Sequence, residues 1–322
     1  MWGNKVGWGI SGMIVLFAAF MYYLLLQMLA PTSATPFAAK GLEAIVLPVQ
    51  PGSVVASMTD STDSGPLYQD AIQAYKNSTS VYEKLGKSKS YDPATARLPA
   101  IAAVLKATPS NKADIFKPNP ASVVNFRARK EDLVALFDLA KVMEVQGLLA
   151  KKNNPKEAQK YFEATFSLGY KMCQERLIHR EYFRGVNLMG GAIRMLAGMA
   201  GDKSRSGDLL GMEAALVEHY KTKIKPVFDV VNSIAEPTIA KHQGDVMKIA
   251  KESPERMWKV EAILKLGRTK FNAPRSGDQK LAAATVKRMA ESETDPVIKT
   301  ALLAARDMTS DDYQLMVAPE SD

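Results

Sequence analysis

The sequence predicts an all-α protein, with one N-terminal transmembrane helix followed by an α-helical repeat, solenoid-like domain. Three observations predict it. A charge-free apolar block lies near the N-terminus, apolar residues recur at helical period in nearly every segment beyond Pro66, and no period-two alternation lasts more than a few residues. The composition agrees: of 322 residues, 47% are hydrophobic and 24% charged, which excludes a collagenous, mucin-like or wholly disordered polymer.

Residues 1–5 form a short N-terminal segment, and Val6 to Leu29 (VGWGISGMIVLFAAFMYYLLLQML) carry no ionisable side chain. At about 1.5 Å per residue this stretch covers the roughly 30 Å hydrocarbon core of a bilayer with allowance for tilt. A cleaved signal peptide is the alternative, but its apolar stretch is shorter, about 7–15 residues. The best cleavage point here, Thr32-Ser33-Ala34, is weak, so the length favours an uncleaved anchor. Lys5 and the α-amine flank one side, and no Lys or Arg follows the span until Lys40. The positive-inside rule then puts the N-terminus in the cytoplasm and the main domain in the extracytoplasmic, periplasmic space. Gly3, Gly7 and Ser11 fall four apart on one helix face, a spacing that lets a second membrane helix approach closely. Gly is also common in membrane helices generally, so the spacing serves either reading.

Residues 30–65 are rich in Pro, Ser, Thr and Ala and read as an extended linker with one apolar run, Ala44 to Val49. That run either hooks onto a partner or the chain's own domain, or is incidental. A helical domain over 66–235 follows. Tyr68, Ile72, Tyr75, Thr79 and Tyr82 line one face of a first helix that Gly86 closes. A short helix occupies Leu98 to Lys106, and Leu133, Leu136, Phe137, Ala140, Met143 and Gly147 form the apolar face of a longer one beginning near Lys130. Asn153-Asn154-Pro155 interrupts it, because the residue before Pro is driven out of the helical region. Another helix starts at Lys156, and further helices are expected near 171–199, 207–235 with a kink at Pro226, 237–252, 254–268, 278–291 and 295–308. Residues 311–322 form a C-terminal tail.

Within 139–170, Ala158, Phe162 and Thr165 at spacing zero, four and seven, with Val142, Val145 and Leu149 before them, resemble a degenerate tetratricopeptide hairpin. In that hairpin Gly147 sits one place late. SPERMWKVEAILKLGR and TDPVIKTALLAARDMT resemble the first helices of HEAT-type repeats, with Pro254 and Pro296 42 residues apart. There Met257, Val260 and Leu264, then Val297, Ala301, Ala304 and Met308, supply inward faces, with Ala282, Val286 and Met289 on the paired helix. These resemblances imply HEAT-like repeats over 236–310 and a role in scaffolding and protein binding.

The chemistry of the side chains points the same way. One Cys excludes an intrachain disulfide, a four-Cys zinc site and a haem attachment motif; with three His, metal chemistry has few ligands. No phosphate-binding loop, nucleophile elbow or zinc helix motif occurs, so no catalytic, cofactor or metal residues are assigned and an enzyme is not expected. Glu175 and His179 are four apart, but flanking cations make a solvated, ion-paired helix face the better reading. Cys173 reads as a small core residue, and Met189, Met195, Met199 and Met212 as core filling rather than a copper site. Asn77-Ser78-Thr79 matches a glycosylation acceptor placed mid-helix. The stretch KMCQERLIHREYFR offers Lys171, Arg176, Arg180 and Arg184 as a contact for an acidic partner. The net charge of +8, with peaks at Arg127 to Lys130 and Lys221 to Lys225, suits anionic headgroups or an acidic partner at the bilayer and not nucleic acid. The expectation is a membrane-anchored scaffold or accessory subunit, with integral membrane proteins as partners; a binding module for a small or polymeric ligand is the alternative.

Overall fold

The computed structural model describes residues 42–115, 126–233, 243–272 and 276–307, which are predominantly helical. Among these residues no helix is long and apolar enough to cross a membrane; the span expected at 6–29 lies outside them.

A short helix α1 (Pro51–Val54) is followed by strand β1 (Asp60–Asp63), α2 (Gly65–Asn77), α3 (Thr79–Leu85), α4 (Pro99–Ala107) and strand β2 (Ser110–Lys112). The long helices α5 (Phe126–Ala150), α6 (Pro155–Glu175), α7 (His179–Ala197) and α8 (Lys203–His219) come next. A π-helical turn (Tyr220–Ile224) leads into α9 (Lys225–Ser233), and α10 (Gln243–Glu252), α11 (Arg256–Asn272), α12 (Ser276–Ser292) and α13 (Pro296–Asp307) complete the array. Pro opens α6 and α13 where its missing N–H costs nothing, and Asp202 and Asp295 cap α8 and α13 by accepting the N–H groups of Ser204 (2.9 Å) and Val297 (2.8 Å).

Helix α6 organises the packing because it is apolar on two faces. Tyr161, Ala164, Leu168 and Met172 join a core with α2, α4 and α5. Ala158, Phe162, Phe166 and Cys173 join a second core that runs through α7 to α13. The α5–α6 pair forms an antiparallel helical hairpin where the tetratricopeptide resemblance was expected, and Gly147 faces Phe162: a Cβ there would lie 2.6 Å from the ring, so only a glycine leaves the ring room. In the C-terminal unit α11 packs against both α12 and α13, and the expected inward residues Met257, Val260, Leu264, Ala282, Val286, Val297 and Ala301 are buried. Met308 lies outside the described residues.

The all-α class holds, with one small addition: β1 and β2 form a two-stranded parallel ribbon, with Asp60 paired to Ser110 and Asp63 to Lys112. Both strands are short and polar, so no alternation betrays them. Three expectations change. Residues 42–65 are no free linker, since Val49, Val54, Val55 and Met58 are buried in the second core. The apolar run Ala44–Val49 thus hooks onto the chain's own domain, though not as a strand. The first helix breaks at Ser78 (φ −145°), which places the acceptor Asn77 exposed at a junction rather than mid-helix. Finally, a break at Arg176 to Ile178 separates α6 from α7 where one helix is expected. The kink near Pro226 takes the form of the π-turn just before it, because Pro cannot donate to the carbonyl four residues back and the ladder shifts register.

Candidate functional site

The α6–α7 break gathers most of the buried charge. At the start of α7, Glu181 reaches back to accept the Leu177 N–H (2.6 Å), and Glu261 of α11 accepts the His179 N–H (2.7 Å). Two carboxylates therefore sit on the positive end of one helix, where aligned backbone N–H groups favour negative charge. Arg129 of α5 forks onto Glu181 through Nε (2.5 Å) and Nη2 (2.8 Å) and also donates to the Glu175 carbonyl (3.1 Å). Both partners are buried. The second Glu261 oxygen is buried without a hydrogen-bond partner, and burial raises the pKa of that carboxyl against the opposing pull of Lys265.

One turn away, Arg176 pairs with Glu255 (2.7 Å) and donates to the Ile45 carbonyl (3.0 Å), while the Ile45 N–H donates to the same Glu255 oxygen (3.2 Å). Glu255 also accepts the Met257 N–H (3.3 Å), as an N-cap does for α11. Glu43 meets Lys223 at 3.4 Å. The strap 43–45 is thereby bound to the break, to α11 and to the π-turn.

Against this polar hub lies an aromatic cluster. The His179 ring stacks on Phe228 at 3.6 Å, with Phe183, Tyr220 and Trp258 within 5.8–6.4 Å. Its Nε2 is 3.1 Å from the Tyr220 hydroxyl. Burial, with Lys265 and Lys225 nearby, pushes the imidazole pKa down to about 3, so the ring is neutral at ordinary pH. Phe183 is 40% exposed at the rim.

The four cations expected to meet an acidic partner do not form one patch. Lys171 is buried; its amine donates to the Ala107 carbonyl (2.6 Å) and lies 3.3 Å from the Tyr68 hydroxyl. Arg176 is committed to Glu255 and Ile45, and Arg184 lies over the Phe137 ring at 4.8 Å. Arg180, on α7 beyond the break, no longer continues the α6 face. The helical wheel failed here because it assumed an unbroken helix. Glu175 and His179 are likewise divided by the break, and neither lies on a solvated face: Glu175 accepts the Ile115 N–H, and His179 is buried. Cys173 is buried and free, Met189 is buried, and Met195, Met199 and Met212 pack against the second core. No cluster of metal-ligating side chains occurs among the described residues. Gly3, Gly7 and Ser11 lie outside the described residues.

Burial lowers the Lys171 pKa to about 7 from 10.5. Between these values the unfolded chain holds a proton that the folded chain releases, so this side chain makes stability rise as pH increases from about 7 toward 10. Lys171→Met is expected to abolish that rise. Urea unfolding at pH 7 and pH 9.5 checks it: equal wild-type and variant slopes would mean that the amine is not desolvated.

Sequence reasoning missed Arg129, Glu181, Glu255 and Glu261 as a group. They come from three helices far apart in the chain, and the one local signal was a Glu at the third position of α7, where a reach-back cap belongs. No family model, no curated protein and no solved structure matches the chain.

Proposed function

We propose that this protein is a membrane-anchored, non-enzymatic helical scaffold or accessory subunit of a larger membrane assembly, with residues 6–29 as a single-pass anchor in the cell (inner) membrane, a cytoplasmic N-terminus and a periplasmic helical domain. The observation that supports it is the strap. Glu43 and Ile45, 14 and 16 residues beyond the end of the apolar block at Leu29, are held by Lys223, Arg176 and Glu255, so that any anchor would be joined through that stretch to a packed helical array. From Leu29 to Glu43 a fully extended chain reaches at most about 50 Å. The face bearing Lys223 and Arg176 would therefore stay near the bilayer, within reach of integral membrane partners and lipid headgroups. The charged hub ties helices together, which suits a body that holds a shape while partners dock.

Crosslinking mass spectrometry on native membranes tests the reading. Crosslinks from the helical domain to integral membrane proteins, with residues 1–5 protected from outside reagents, are expected. A chain extracted by carbonate, or purified in mild detergent with no other protein attached, overturns it.

A second reading, an extracytoplasmic module binding a small or polymeric ligand, is favoured by the aromatic cluster, where Phe183 reaches the surface beside Tyr220 (5.3 Å between ring centroids). It requires ligand-dependent thermal stabilisation of the whole chain that Phe183→Ala removes.

A further inference from the structure

The stretch from Tyr91 to Arg97 lies against the α5–α6 hairpin, and Tyr91 packs against both cores. Asp92 is its point of attachment. The Asp92 N–H donates to Gln146 Oε1 of α5 (2.9 Å), and the Asp92 carbonyl accepts the Thr95 N–H (3.0 Å) at the start of the 3-10 turn Thr95–Arg97. On α6, the Tyr161 hydroxyl has its pKa raised by burial and then by Glu157, Tyr91 and Asp92, so it too lies near Asp92. Gln146 and Tyr161 each precede one member of the Gly147–Phe162 contact.

Three polar atoms around Asp92 are thereby left over. Thr95, Gln146 and Tyr161 are all buried, and Thr95 Oγ1, Gln146 Nε2 and the Tyr161 hydroxyl have no hydrogen-bond partner in the protein. Each such atom costs the free energy of its lost hydration, and folded proteins rarely leave three unpaired in one place. We infer that one water molecule is bound between Gln146, Tyr161 and Thr95 and ties the loop to both helices of the hairpin. The donor set suits water better than an ion. Gln146 Nε2 can only donate, which opposes a cation, and an anion would meet the Asp92 charge that already reaches Tyr161. The two hydroxyls both donate and accept. A water that accepts from Gln146 and one hydroxyl and donates to the other makes three bonds, the usual complement of a buried water. Because Tyr91 touches both cores, the site fastens a segment at which they meet. The inference goes beyond the scaffold reading and needs neither the anchor nor a partner.

Tyr161→Phe and Thr95→Val each remove one hydroxyl with little change of shape. In urea unfolding of the full-length chain, each variant is expected to lower the folding equilibrium constant about two- to tenfold, the loss of one hydrogen bond. Because both hydroxyls hold the same water, the double variant should lose less than the product of the two single losses. A high-resolution crystal structure of the wild-type chain should show one solvent peak within hydrogen-bonding distance of Gln146, Tyr161 and Thr95, and that density decides the matter if a variant does not fold. Either single variant proving more stable than wild type would show that its hydroxyl meets nothing, and would overturn the inference. So would two losses that multiply without coupling, which mean separate solvent molecules, or density with no molecule between the three side chains. None of these outcomes touches the scaffold reading, which the crosslinking experiment tests by itself.

Discussion

Arg129→Met is expected to destabilise the folded chain by about 3–5 kcal/mol, because it leaves the Glu181 carboxylate buried without its cation. The guanidinium makes two charge-assisted bonds to Glu181 and one to the Glu175 carbonyl, and it joins α5 to the start of α7. The attraction between the ions is largely offset by the cost of desolvating both, so the harm comes from stranding one partner. Arg129→Met combined with Glu181→Gln should therefore recover part of the loss, since an amide can still accept the Leu177 N–H without a buried charge. Urea unfolding of the two single variants and the double variant gives the coupling directly. A loss below about 1 kcal/mol in Arg129→Met would mean that solvent reaches the pair, as it does for exposed pairs.

The second large effect is steric. Gly169 of α6 and Gly185 of α7 let these helices cross with their backbones in contact. A Cβ at Gly185 would lie 2.5 Å from Cys173 Sγ and 2.7 Å from the Gly169 carbonyl oxygen; one at Gly169 would lie 2.7 Å from the Gly185 carbonyl oxygen. Backbone cannot swing aside as a side-chain tip can, so the helices must separate, and both cores share α6. Gly185→Val is expected to lose about 3 kcal/mol or more, the upper end of overpacking costs, with Gly169→Ala somewhat milder. Gly190→Ala on the same helix is the control, because its Cβ would meet only a Glu213 side-chain carbon at 3.9 Å. There the gain in helix propensity should stabilise by about 0.5–1 kcal/mol. Thermal melts of the three variants check the contrast; equal effects at positions 185 and 190 would show that the crossing is looser than the backbone distances indicate.

The legible parts of this fold share a cause. Period, Pro and Gly are local signals, so the α5–α6 hairpin with its break at Asn154-Pro155 and the helices opening near Pro254 and Pro296 could be read one segment at a time. Boundaries moved where tertiary contacts outweighed local preference. Arg176 to Ile178 carry nothing that stops a helix, yet the chain breaks there, and Arg176, the Leu177 N–H and the His179 N–H all find partners among Glu255, Glu181 and Glu261. The candidate site was less legible than the fold. Charges expected on a solvated face are spent inside, because a break rotates every later side chain to a new direction and a helical wheel cannot show it.

By itself, the sequence determined the helical class, the inward residues of most helices and the charge-free block at 6–29, since each depends on hydrophobic spacing within one segment. Only the tertiary structure decided that residues 43–58 belong to the body of the protein, that Lys171 is a buried amine, and that three carboxylates and two arginines converge at the α6–α7 break. Those outcomes depend on which distant groups meet, and a buried charge persists only where chain folding brings it a partner.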